Sequence, residues 1–204
     1  MISILSAFWM FIVLFGLIGA MRGWAKELLV IFSVVLALFL VYVLETYTAF
    51  MIPFEQVLNQ VENLNPDAPF LSLPIPVQDQ LKIQFWSRAA IVVILAFFGY
   101  QTPRLAALRE KARREKIQDV LLGAVLGLGS GFFIIGTLWW YMAAAHYPFS
   151  PNIMPPQPGT ALGDAAINTL KYFPPVFASN QIGLFFSVVV AFMSVLVVFI
   201  CCNI

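Results

Sequence analysis

Five long apolar runs separated by polar stretches dominate this chain: residues 2–20, 28–46, 85–101, 120–142 and 183–202. Each approaches the roughly twenty residues that a helix rising 1.5 Å per residue needs to cross about 30 Å of hydrocarbon. The pattern predicts an all-α polytopic membrane protein, with about five transmembrane helices in one membrane domain. The first run is uncharged and is followed at once by Arg22 and Lys26. A cleavable signal peptide has the reverse order, with its positive region first, so this run is read as a retained helix. Only a few polar residues part it from the second run. The two are therefore expected to form a tight hairpin turning through Met21–Lys26, where Gly23 can adopt a positive φ.

The segments between the runs have a different character. Residues 47–84 scatter Pro53, Pro66, Pro69, Pro74 and Pro76 among Glu55, Glu62, Asp67 and Asp79, with Lys82 their one cation, and this stretch cannot cross a membrane. Within it Phe54, Val57, Leu58, Val61 and Leu64 recur at helical spacing, which predicts a short amphipathic helix lying along the interface. Residues 146–182 begin with a proline-rich stretch and continue into a second such helix, with Leu162, Ala166, Leu170 and Phe173 able to share one face. Arg88, one turn inside the third run, is expected to snorkel to the headgroups beside Trp86. Trp139, Trp140 and Tyr141 close the fourth run as an interfacial aromatic belt.

Composition agrees with the bilayer as solvent: 61% of the 204 residues are hydrophobic, 10% are charged and the mean hydropathy is +0.91. The formal charge of +1 offers no basic field for nucleic acid, which is excluded as a partner. That small net value hides a segregation of signs. Eight of the eleven lysines and arginines sit at Arg22 and Lys26 or in the basic segment 103–119, at Arg104, Arg109, Lys111, Arg113, Arg114 and Lys116. The acids Glu45, Glu55, Glu62, Asp67, Asp79 and Asp164 fall in the alternate segments. Positive residues in short loops are retained in the cytoplasm. The expected topology therefore has the N-terminus outside, five spans and the C-terminus inside.

The candidate motifs are few. Gly123, Gly127 and Gly131 recur every four residues in the fourth run and form a stripe that lets another helix approach closely. The substring Gly127-Leu128-Gly129-Ser130-Gly131 lies within a span, with no strand before it and no lysine after it, so it is not a nucleotide loop. Arg22, Lys26, Glu27 and Asp119 form a charge cluster expected at one depth, with Glu27 and Asp119 each opening a helix against the positive end of its dipole. The single histidine, His146, and the adjacent Cys201 and Cys202 assemble no metal-ligand set. No cofactor is expected. The ending Cys201-Cys202-Asn203-Ile204 lacks the aliphatic positions and the polybasic run of a prenylation box.

The segment Gly19-Ala20-Met21-Arg22-Gly23-Trp24-Ala25-Lys26-Glu27 resembles the signature hairpin of the colicin V production (CvpA) family. Asp119-Val120-Leu121-Leu122-Gly123 with Gly127 and Gly131 is similar to that family's glycine-bearing fourth helix, and Asn168-Thr169-Leu170-Lys171-Tyr172-Phe173-Pro174 is a looser match. The resemblance covers about residues 1–175, and the fifth run departs from the family pattern. It implies a bacterial inner-membrane protein linked to toxin export or envelope maintenance, with no catalytic residues to carry over.

The expected function is that of a noncatalytic scaffold in the lipid bilayer, packing against other membrane protein subunits or itself through Gly19, Gly23, Gly123, Gly127 and Gly131. The basic segment would serve lipid or partner docking. An accessory transmembrane subunit of a respiratory or photosynthetic complex is an alternative reading, as is an oligomeric small transporter or channel. The last is disfavoured because no charge falls at the centre of a span.

Overall fold

A computed structural model describes residues 3–60, 69–101 and 116–178, together with Val188. The regular elements among the described residues are all helical, in the order α1 (Ile4–Arg22), α2 (Trp24–Tyr47), α3 (Phe54–Leu58), α4 (Ile75–Tyr100), α5 (Lys116–Ala144), α6 (Ala161–Leu170) and α7 (Pro174–Ala178), with a 3-10 turn at Phe70–Ser72. Four of them, α1, α2, α4 and α5, are long and apolar enough to span a membrane. The chain is an all-α polytopic membrane protein. The fifth run, most of the basic segment, Val61, Leu64, Cys201 and Cys202 lie outside the described residues.

α5 is the axis of the bundle. α1 packs along one side of it, α2 along another, and α4 packs chiefly on α2. The pairings Gly19 with Gly123, Phe8 with Trp139, and Gly99 with Ser33 make α1 and α4 antiparallel to α5 and α2, so successive spans alternate in direction. The bundle thus has an Arg22 end, where α1 and α4 finish and α2 and α5 begin, and an opposite end marked by Arg88.

α1 is apolar all round, yet only the stripe Leu5, Phe8, Ile12, Gly16 and Gly19 is buried, the three-to-four spacing of one helical face. The stripe grades from large to small. Near the Arg22 end glycines bring two backbones into contact; at the other end Phe8, Phe132, Trp139 and Phe173 fill the space with rings whose centroids lie 5.2–6.2 Å apart. Phe173, fully buried, arrives from the end of α6 and occupies the gap left by Gly136. α5 ends where His146 and Tyr147 take positive φ, 57° and 58°, which reverses the chain. Burial pushes the Tyr147 hydroxyl above its ordinary pKa, partly offset by the hydrogen bond that Trp139 Nε1 donates to it.

Several boundaries and orientations differ from expectation. The α1–α2 hairpin turns on Gly23 alone, at φ 86°, rather than through six residues, because both helices continue to its neighbours. α4 begins at Ile75, ten residues before the apolar run; Pro74 and Pro76 favour a helix start, and Gln78 to Lys82 extend it as a polar overhang. Arg88 does not snorkel. Trp86 faces outward, but Arg88 is fully buried because Glu45 of α2, Gln84 of its own helix and the Ile52 carbonyl enclose it. Ala166 of α6 and Phe173 just beyond it face inward whereas Leu162 is exposed, so the proposed shared face is only partly used.

Candidate functional site

The chemistry of the bundle is concentrated in two buried ion pairs, one at each end, both using an acid of α2. At the Arg22 end the turn at Gly23 returns α2 beside the end of α1. Arg22 Nη1 then reaches Glu27 Oε1 at 2.6 Å, its Nη2 donates to the Tyr100 carbonyl at 3.0 Å, and its guanidinium lies 4.3 Å from the Tyr100 ring centroid. Glu27 is fully buried, and its second oxygen accepts from Ser130 Oγ at 2.9 Å. Three long helices, α2, α4 and α5, are thereby tied to the end of α1.

Asp119 takes a different part. From the first turn of α5 its Oδ1 accepts the Trp24 backbone N–H at 3.3 Å, capping α2 from a neighbouring helix. A side chain at Gly23 would meet this carboxylate at 2.8 Å as well as the strain of positive φ. Lys26 is exposed and takes no part in the ion pairs of the described residues. Of the proposed charge cluster, the structure therefore assembles Arg22 with Glu27, sets Asp119 on the adjoining turn and leaves Lys26 outside. Arg104, Arg109, Lys111, Arg113 and Arg114 lie outside the described residues, and Lys116 opens α5.

At the far end Arg88 engages all five of its N–H donors. Nε and Nη2 both donate to Glu45 Oε1, the former at 2.8 Å; Nη1 donates to the carbonyl and to Oε1 of Gln84 at 2.9 and 2.8 Å; Nη2 also donates to the Ile52 carbonyl at 2.9 Å. Its face lies 4.3 Å from the Phe54 centroid. Gln84 Oε1 additionally accepts from Ile52 N–H at 3.1 Å. A buried charge is tolerated only when paired and hydrogen-bonded, and here the pairing is complete. Val30, Val34, Ala37 and Val41, none more than 4% exposed, separate the two ion pairs along α2. Eighteen positions apart in sequence, Glu27 and Glu45 stand about 27 Å apart along the helix.

All five glycines proposed for packing lie on one seam, between α1 and α5. A Cβ on Gly19 would collide with the Gly123 carbonyl and come within 2.7 Å of Gly127 Cα; one on Gly127 would come within 2.5 Å of the Phe15 carbonyl; one on Gly131 would meet Phe15 Cβ at 2.7 Å. A Cβ on Gly123 would come within 3.0 Å of Gly23 Cα. The stripe is thus covered by this chain's own first helix. Sequence reasoning missed two members of the packing scheme. Gly16 makes room for Leu128, which a Cβ there would meet at 2.7 Å, and its signal was the Gly16-Leu17-Ile18-Gly19 spacing; Gly99 admits Ser33 and Val30 and stood alone in its run. It also missed the pairing of Arg88 with Glu45.

Below the Arg88 clasp a half-open cleft of about 480 Å³ lies between α2, α3 and the end of α5. Its lining includes Tyr42, Glu45, Phe54, Glu55, Trp140 and Tyr141. Among the described residues no group of three or more histidine, cysteine or acidic side chains is placed to hold a metal ion. Comparison with known protein families, with curated proteins and with solved structures found no match.

Proposed function

We propose that this chain is a noncatalytic membrane scaffold, a self-contained helical bundle that presents apolar faces to other membrane components. The observation that carries this reading is how the buried charges are used. Arg88 spends every donor within the chain, Glu27 accepts from Arg22 and Ser130, and Asp119 caps α2. These groups hold helices together. Meanwhile the outward sides of α1 and α4 are broad and apolar, with Leu14, Leu17, Val93, Ile94, Phe97 and Phe98 each at least 47% exposed. The glycine seam is filled from within, so a partner would be met on these larger side chains.

In this reading the Arg22 end faces the cytoplasm, since the basic segment follows α4 and precedes α5. The resemblance of the Arg22 hairpin to the colicin V production family supports a bacterial inner membrane and a task in export or envelope maintenance. Photo-crosslinking residues placed at Leu17 and Phe98, 61% and 65% exposed, test the reading in native membranes. Specific cross-links to another membrane polypeptide are expected from at least one position. Cross-links to lipid alone, with the native protein purifying in mild detergent as a single polypeptide, would overturn it.

A further inference from the structure

We propose that the outward side of α2 is the docking surface for the apolar run 183–202 of this same chain, which closes the bundle along that flank. The proposal does not depend on the scaffold reading. Among the described elements α2 packs chiefly on α4 and α5, and both stand on the flanks of a buried stripe centred on Val34. On one flank Val30 and Ser33 meet Gly99 of α4; on the other Ile31 lies against Gly129 of α5 and Glu27 meets Ser130. At about 100° per residue, Phe32, Leu36 and Val43 lie about 160–200° round from Val34, on the opposite side. A helix with two neighbours should offer that side to lipid. α1 and α4 do so, with Leu14, Leu17, Ile94 and Phe97 47–61% exposed. Phe32, Leu36 and Val43 are instead half-buried, and between Glu27 and Glu45 the one exposed residue is Leu40, at 39%.

This screening arises within a single chain, so the cover belongs to the chain itself. Of the stretches outside the described residues, 61–68 carries Glu62, Pro66 and Asp67, and 102–115 carries five lysines and arginines. Neither suits a helix side that faces hydrocarbon. The run 183–202 has no charge, and at 1.5 Å per residue it can reach about 30 Å, enough to cover the roughly 27 Å of α2 between Glu27 and Glu45. Its point of entry agrees. α7 seats the chain on α5 and α2 at the Arg88 end, where Pro175 borders the cleft that Tyr42 also lines. Ala178 ends α7, and the steps from there to Gly183, at most about 3.6 Å each, hold the start of the run within about 18 Å. The chain therefore enters the membrane beside α2. With α2 covered, α1 and α4 remain the faces open to lipid or to a partner.

The test uses the full chain in native membranes, with a photo-crosslinking residue at Leu36 or Val43 and, as a control, at Phe98 on the outward side of α4. Cleavage after Lys171, the last cation of the chain, releases the run on a fragment that begins at Tyr172. From either α2 position the dominant product expected is a link to that fragment within one polypeptide, and from Phe98 this product should be lost. Co-expression with a copy carrying a larger tag separates links within a chain from links between copies. Links from both α2 positions to lipid, to a second copy or to another polypeptide would overturn the proposal, as would an equal yield of the fragment link from Phe98.

Discussion

Arg88 and Glu45 depend on one another. Removing a single partner strands a buried charge, which typically costs about 3–5 kcal/mol, whereas replacing both with well-packed apolar groups is often close to neutral. Because Glu45 is still partly exposed, 28% in its side chain, the lower end of that range applies to its loss. Glu45→Leu alone should therefore lower the thermal stability of the purified protein clearly, and Glu45→Leu combined with Arg88→Met should recover most of the loss. Arg88→Lys should fail to substitute, because a lysine offers a point charge in place of five donors in a planar fork. A double variant no more stable than the worse single variant would show that the pair is not coupled. Neither partner could be matched to the other from the chain, since they are 43 residues apart in sequence. The expectation of snorkelling rested on Arg88's distance from the start of the apolar run; it took no account of an acid at the end of α2.

At the scale of elements, the α1–α5 seam is the closest contact in the bundle. The four-residue glycine period was legible because it is local to one helix, and so was the positive φ at Gly23. The partner helix was not legible: a stripe of small residues specifies close approach without saying what approaches. Gly127→Leu places a branched side chain against the Phe15 carbonyl and Gly19 Cα, which lie within 2.5 and 2.9 Å of the added Cβ. Backbone cannot step aside as a flexible side chain would, so the cost should reach or exceed the about 1–3 kcal/mol typical of overpacking. Leu128→Ala trims a residue 40% exposed whose tip rests on Gly16, and should cost less. Thermal unfolding of both variants at matched expression decides the order; equal stability would mean that the seam can open without penalty.

For the whole molecule, alternating hydropathy was enough to establish an all-α polytopic protein, because the bilayer imposes segment length on any spanning helix. The same runs underestimated α4, whose first ten residues are too polar to register as part of a span, while helical spacing found α3 and α6 but not that Phe54, Val57 and Ala166 are buried against the bundle. The cleft was invisible in the sequence, as its lining comes from four separate stretches. The alternating direction of the four long helices makes a topological prediction. Single cysteines at Ile117 and Tyr47, 84% and 78% exposed at opposite ends, should react with a membrane-impermeant maleimide from opposite sides of sealed vesicles. Reaction of both from the same side would exclude the alternating arrangement.

The roughly 27 Å between Glu27 and Glu45 along α2 also makes the bundle a gauge of membrane thickness. Each charge cluster is buried in protein but belongs near a headgroup layer, so the two ends fix where the hydrocarbon must stop. A bilayer with a core close to this span leaves the protein upright and unstressed. One a few ångströms thicker must thin around it, at a fraction of a kcal/mol per Å, and a much thinner one obliges the helices to tilt. The ion pairs that lock the helices together thereby also select the membranes in which this protein is most at ease.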